Sequence, residues 1–393
     1  MTQWFKQYQR PLKCFALVSA LSLSGLLVGC GSLPEPKVAP KSLVDFKQSV
    51  ELSLTWRDFA AKGAGEQGYL LTPVIANNIV YAIDREGNLT AWQQADGEFL
   101  WEAELKQDIS SGLAYANEQL LVGTQNGELL ALSAAGGELL WRTRLSTVIL
   151  ATPQINPELK QVVVQTADGK VSALDLSTGR LQWSLDGEEG LLTLHGTAAP
   201  KVTPALTFTG FASGKLAAID NRNGQLVWDV RVAIPSGRTD IERLVDVDGQ
   251  PLLTSKGLLV VTSFQGRVMA LDPKSGRALW ERKDSSFNPA VEGYGNLLYV
   301  DDASRIIALD SRSGGVLWNQ DALEGRRLTA PVIWGDALAV ADYEGYIHLF
   351  ALTDGHPIAR IQADTSGIEH PLTVASNQLF AVANNGRVIA IKR

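Results

Sequence analysis

Few residues in this sequence have the type and spacing to do chemistry, and they fall into three sets. The string Gly63-Ala-Gly65-Glu-Gln-Gly68 has the G-x-G-x-x-G spacing of a loop that cradles phosphates. That chemistry needs a strand before the string and a helix opening after it. Here the string precedes a strand-like run and opens no helix, so it reads as an entry loop. Four histidines (His195, His348, His356 and His370) lack ligand spacing, and Cys14 and Cys30 are the two cysteines. The third set is a series of carboxylates that open short turns ending in Gly: Asp175 to Gly179, Asp220 to Gly224, Asp272 to Gly276 and Asp310 to Gly314. Repeated carboxylates could ligate calcium. Turn chemistry explains them more simply, because Asp accepts backbone N–H groups two residues on and Gly takes φ > 0 without a Cβ clash. No Walker A, G-x-S-x-G or H-E-x-x-H string occurs, and nothing assembles a nucleophile, a base and an orienting acid. The chain reads as a non-enzyme without a cofactor.

The elements that carry these turns repeat from end to end. With Gly169 as position zero, an Ala follows four residues later, often an Asp at six, a Gly at ten and a Trp at fourteen. The frame restarts at Gly87, Gly127, Gly214, Gly266, Ser304, Gly345 and Gly386, and it closes on Trp101, Trp141, Trp183, Trp228, Trp280 and Trp318. Starts that lie 40, 42, 45, 52, 38, 41 and 41 residues apart, built of strand-like alternation, mark an all-β propeller. A four-stranded sheet cannot cover both of its faces, so radial stacking buries the repeated apolar positions. The large Trp is to be matched by a small Ala or Gly on a neighbouring repeat.

The eighth frame reaches Arg393 before any Trp, while an unpaired Trp stands early, in Leu52-Ser-Leu-Thr-Trp56. This predicts eight four-stranded antiparallel blades over residues 46–393, the last one closed by an N-terminal strand. The seventh repeat is the weak one, with Leu349 for Ala and Ala359 for Trp. Pro73, Pro153, Pro204, Pro251, Pro289, Pro331 and Pro371 are expected to precede innermost strands, since Pro cannot donate to a ladder. Second strands are expected at Ile79–Ile83, Leu120–Gly123, Val162–Gln165, Leu206–Thr209, Leu258–Thr262, Leu297–Val300, Ala337–Ala341 and Gln378–Val382.

Residues 1–29 read as a secretory signal: Lys6, Arg10 and Lys13 precede an apolar run from Cys14 to Gly29 that ends in small residues. Leu27-Val28-Gly29-Cys30 looks like a lipobox, in which cleavage before Cys30 leaves that residue to be lipidated, and several acyl chains anchor stably. Gly31 is not the Asp that signals inner-membrane retention in many such lipoproteins, which places the chain on the periplasmic face of the outer membrane. Residues 30–45 then form the lipidated Cys and a Pro-bearing tether. With Cys14 removed and Cys30 lipidated, neither a free thiol nor a disulfide remains. The net charge of −7 becomes −10 once those three cations leave, and an acidic chain without a basic stripe excludes nucleic acid as a partner.

Two stretches break the frame. Gly190-Leu-Leu-Thr-Leu-His-Gly196 follows Trp183, and Ile234 to Gly249 is inserted after Trp228. Such departures either carry a binding surface or simply extend a strand and pack down, and the residues leave both readings open.

The Ala-x-Asp-x-x-[Ser/Thr]-Gly-x-x-x-Trp repeat resembles the pyrroloquinoline-quinone (PQQ) propeller repeat of quinoprotein dehydrogenases. Those enzymes also carry a vicinal disulfide, which this chain cannot form. Lipobox, tether and eight such blades together resemble the BamB family, lipoprotein propellers of the outer-membrane β-barrel assembly machine. The resemblance implies a scaffold that binds the POTRA domains of BamA and promotes insertion of outer-membrane proteins, with unfolded clients as further partners. It implies partner contacts at Leu192, Leu194, Asp246 and Asp248, the two Leu as a desolvated anchor and the two Asp for steering. His195 stands where the family commonly has Arg. Two other readings remain: a quinoprotein-like cofactor-binding propeller, and a periplasmic glycan-binding propeller using Trp92 and Trp334, although both rings are expected to pack structurally.

Overall fold

The motif strands are apolar at successive positions, as in Leu129-Leu-Ala-Leu132, so each sheet has two apolar faces and only neighbouring sheets can cover both. A computed structural model, which describes residues 39–59, 71–187, 198–234 and 245–393, resolves that demand as a ring of eight four-stranded antiparallel blades. No α-helix occurs among the described residues. In the first blade the strands run outward from the channel as Val74–Ala76, Ile79–Ile83, Asn88–Gln93 and Phe99–Glu104. The two middle strands of each blade are buried, and the outermost is an exposed edge except in the seventh blade, where only its last residue is exposed.

The eighth blade is closed as the unpaired Trp56 predicted. Ser53–Phe59 pairs with Arg387–Lys392 at the other end of the chain, and Trp56 lies opposite Ala390. That pairing repeats Ala91 with Trp101, Ala131 with Trp141, Ala218 with Trp228 and Ala270 with Trp280. The Ala that makes room for each Trp is therefore in its own blade. The small residue in the neighbouring blade is the turn Gly. A Cβ on Gly97, Gly224, Gly276 or Gly314 would stand 2.6 to 2.8 Å from the rings of Trp56, Trp183, Trp228 and Trp280 respectively. These turn glycines also have φ between 69° and 77°, where a side chain is strained regardless of space. Each of those indoles then donates its N–H to a carbonyl of the next blade, at Gln94, Asn221, Pro273 and Ser311 over 2.7 to 3.1 Å.

The core consists of slabs between blades. Leu216, Ala218 and Val232 of the fourth blade interleave with Leu259, Val261, Met269 and Leu271 of the fifth in one buried cluster. The second strands lie within one residue of their expected bounds, as at Ile79–Ile83, Gln119–Gly123 and Ala337–Ala341. One proline expectation fails. The fourth blade's innermost strand is Lys201–Val202, which follows Pro200, while Pro204 occupies the turn after it.

The seventh repeat is a size exchange. Leu349 lies opposite Ala359, so the large residue moves to the motif strand and the small one to the edge. The eighth blade takes its edge from Ser53–Phe59, so no turn joins its last two strands and no turn Gly stands where a Trp at 359 would cover it. The chain before Ser53 fills the gap. The N–H groups of Ser49 and Val50 both donate to the Ile358 carbonyl, at 2.9 and 3.3 Å. Val50 and Leu52 pack against the cluster that holds Leu349, Ala359, Ile389 and Ile391. This strap starts at Lys41, whose N–H donates to Glu324 O at 3.0 Å.

Candidate functional site

Antiparallel alternation sorts the loops between two rims. Turns between the second and third strands share one rim with the connectors that lead from blade to blade, and the Asp–Gly turns lie on the other. Both irregular stretches are connectors of the first rim, from the third blade to the fourth and from the fourth to the fifth. Leu192, Leu194 and His195 lie outside the described residues, as do Cys30 and the Gly63–Gly68 string.

The described roots of the two connectors are tightly seated. Gly187 lies so close to the Gly169 backbone and the Phe211 ring that no side chain fits. The second connector leaves from buried Val232 and Ala233, whose N–H groups both donate to Gly214 O, and exposes Ile234. It returns as Val245-Asp-Val-Asp-Gly249. Val247 is fully buried between Phe208 of the fourth blade and Leu259 of the fifth. Gly210 gives it room, since a Cβ there would stand 2.5 Å from Val247, and a Cβ on Gly249 would collide with Thr262.

The same clamp holds Asp246 and Asp248, which are 2% and 8% exposed. The Phe264 N–H donates to Asp246 O at 2.9 Å. Neither is a solvated turn residue, because the burial of Val245 and Val247 draws the whole segment down. Gln250 then joins the two connectors. Its amide donates to Pro200 O at 3.0 Å and to Gln154 Oε1 at 3.1 Å. The structure thus brings the exits of both stretches together at Gln250 and Pro200, two residues that sequence reasoning missed. Their signal was weak but present, since Gln250 precedes a strand-opening Pro.

The remaining chemical candidates are in structural roles. The Asp175 carboxylate accepts from the hydroxyls and N–H groups of Ser177 and Thr178, which holds its pKa below the ordinary value. Asp272 and Asp310 are lowered likewise, the first mainly by the Lys274 N–H and the second by the Ser313 hydroxyl. Among the described residues no three His, Cys, Asp or Glu converge in a metal-holding group.

His348 donates from Nε2 to buried Asp342 Oδ2 at 3.0 Å, and burial lowers its pKa. Arg326 donates to the same carboxylate at 2.7 Å, to Glu344, and to Lys41 O at 3.2 Å, tying the strap to the ring. Burial opposes the Asp342 charge, but the bonds from His348 and Arg326 keep its pKa lowered. Trp92 and Trp334 are buried. Trp92 donates to Asp58 at 2.9 Å and Arg393 lies over Trp334, so neither ring is open to stack on a sugar.

A family model described as outer membrane protein assembly factor BamB matches residues 85–320 and 302–393. A Pseudomonas aeruginosa protein named outer membrane protein assembly factor BamB is 38% identical over 370 residues, covering 94% of this chain and 97% of its own. Its namesake from Vibrio cholerae is 36% identical over 374 residues, covering 94% and 96%. Among solved structures, BamB from Moraxella catarrhalis superposes with a TM-score of 0.78 at 24% identity, over 87% of this chain and all of that one. A europium-containing methanol dehydrogenase superposes with a TM-score of 0.69 at 14% identity, over 87% and 93%, a likeness of fold alone.

Proposed function

The chain belongs to the family of outer membrane protein assembly factor BamB, and on that premise we propose that it is a non-enzymatic scaffold of outer-membrane protein assembly. It binds the POTRA domains of BamA through the two irregular connectors and promotes folding and insertion of outer-membrane proteins, whose unfolded chains are further clients. Cys30 carries the lipid that holds it on the periplasmic face of the outer membrane. Residues 1–29 are the signal, 30–45 the lipidated tether and 46–393 the propeller.

The observation that supports this reading most is the Gln250–Pro200 bond, which roots both connectors side by side on one rim. Leu192 and Leu194 supply the apolar anchor, with His195 beside them. Asp246 and Asp248 steer a cationic surface. The strap leaves the ring at Lys41 beside Glu324, in a connector of the same rim, so tether and partner share one side.

The test is a pull-down of isolated POTRA domains by the mature chain, wild type beside Leu192→Glu/Leu194→Glu and Asp248→Arg. Folded variants that lose binding support the reading. Retention by all variants moves the site elsewhere on the ring. No binding even by wild type removes BamA as a direct partner, and saturable PQQ binding with calcium would then revive the quinoprotein alternative.

A further inference from the structure

Most blades end in an exposed edge strand, but one edge is covered by the chain itself. On the seventh blade, Pro357–Gln362 receives the strap. The Ile358 carbonyl accepts from Ser49 and Val50, and the Arg360 N–H donates to Gln48 Oε1 at 3.0 Å. The Arg360 guanidinium donates to Val44 O and Asp45 and lies 5.4 Å from the centre of the Phe46 ring. Under this cover Ile358 is 8% exposed. The residues at its place in the repeat are far more exposed: Leu140 is at 50%, Val227 at 48% and Leu317 at 50%. The difference follows from the strap.

Of these open edges, that of the second blade, Leu139–Arg144, repeats the chemistry of the occupied one most fully. Leu140 stands where Ile358 does, and Arg142 where Arg360 does. Arg142 is exposed and enters no ion pair among the described residues, and Leu139 beside Leu140 is also 50% exposed. The strand has a sheet neighbour on one side only, so its outward backbone groups form an open template.

We propose that the second blade's edge docks an extended polypeptide segment of another protein, one that carries an acidic residue next to an aromatic one and, a few residues on, alternating aliphatic residues. The strap shows how such a segment seats. Its Asp45-Phe46 pair meets the guanidinium, and its Val50 and Leu52 cover the aliphatic position and the core beside it. Main-chain hydrogen bonds to the edge supply affinity, and the Leu140 and Arg142 side chains supply selectivity. Strands of membrane β-barrels alternate apolar and polar residues and carry aromatic girdles. The identity of the donor as an unfolded outer-membrane protein rests on the function proposed above; the docking edge itself does not.

The experiment measures binding of a fluorescent peptide with the sequence of residues 43–52 to the mature chain in detergent. Wild type should bind saturably, and Leu140→Asp should weaken binding about ten-fold. Arg142→Glu should weaken it about three-fold, as a partly exposed ion pair allows. A peptide with Arg in place of the acidic residue should recover that loss against Arg142→Glu. Backbone N-methylation of the peptide at the positions of Ser49 and Val50 should abolish binding. Equal binding by Leu140→Asp and wild type, failure of the charge exchange to recover binding, or indifference to N-methylation would each overturn the proposal. POTRA capture by the same Leu140→Asp and Arg142→Glu chains should be unchanged. A wild-type chain that binds the peptide as expected but captures no POTRA domain would count against the scaffold reading alone.

Discussion

Two kinds of blade junction coexist in this ring. At the regular ones a Trp from one blade covers a strained turn Gly of the next and donates its indole N–H into that blade's backbone, as Trp228 does over Gly276 and to Pro273. At the junction of the seventh and eighth blades there is neither Trp nor turn Gly. A size exchange between Leu349 and Ala359 and the strap Lys41–Leu52 do the work instead. The first kind is local and repeats with the frame. The second is assembled from residues about 300 apart in sequence, such as Ser49 with Ile358 and Gln48 with Arg360. A ring can therefore vary one junction freely when the chain ends meet there, because no turn constrains it.

The comparison breaks most severely at a regular turn. Gly276→Val should cost roughly 4 kcal/mol or more, since φ of 69° and a ring 2.7 Å from the new Cβ penalise it together. A denaturant midpoint close to that of wild type would show that the Trp–Gly contact is loose. Trp228→Ala should cost about 3 kcal/mol through the cavity it leaves.

The two junctions also differ in acid. His370 lies in the connector to the eighth blade, and burial pushes its pKa down to about 4. Because the folded-state value is depressed below the ordinary 6.5, the neutral ring contributes full stability above about pH 6.5, and that contribution is lost as pH falls towards 4. The effect is on the order of 3 kcal/mol, and the lowered pKa of His348 acts in the same direction. Hydrogen exchange at pH 5 should show the seventh and eighth blades opening before the third and fourth. Uniform opening would mean that the odd junction is no weaker in acid, and His370→Gln should flatten the profile.

Ala359→Trp sharpens the comparison further. Beside Leu349 it should overpack by about 2 kcal/mol, and Leu349→Ala should restore much of that loss. A double variant no better than the single one would reject the size exchange. The smallest effect belongs to Arg360→Ala, which removes the strap's partly exposed contacts and should cost about 1 kcal/mol, read from thermal melts.

The propeller, its eight blades and its closure were legible in the sequence because each rests on short-range rules. Period-two alternation makes strands, Asp and Gly make turns, and one unpaired Trp56 implied a missing partner strand. The Pro rule held at Pro251, beyond the longest connector, and failed at Pro204, where the innermost strand Lys201–Val202 opens after Pro200 instead. The candidate site was legible only as places where the frame breaks. That Asp246 and Asp248 are buried, that Val247 anchors them and that Gln250 reaches Pro200 could not be read, since alternating Val and Asp describe an exposed turn equally well.

The sequence alone therefore determined what each repeat does by itself, because turn geometry and strand period depend on neighbours a few residues away. Tertiary structure decided which small residue each Trp uses, how the seventh repeat compensates for its missing Trp, and which edge is covered. Those outcomes depend on surfaces that meet only when the ring closes and the two ends of the chain lie side by side.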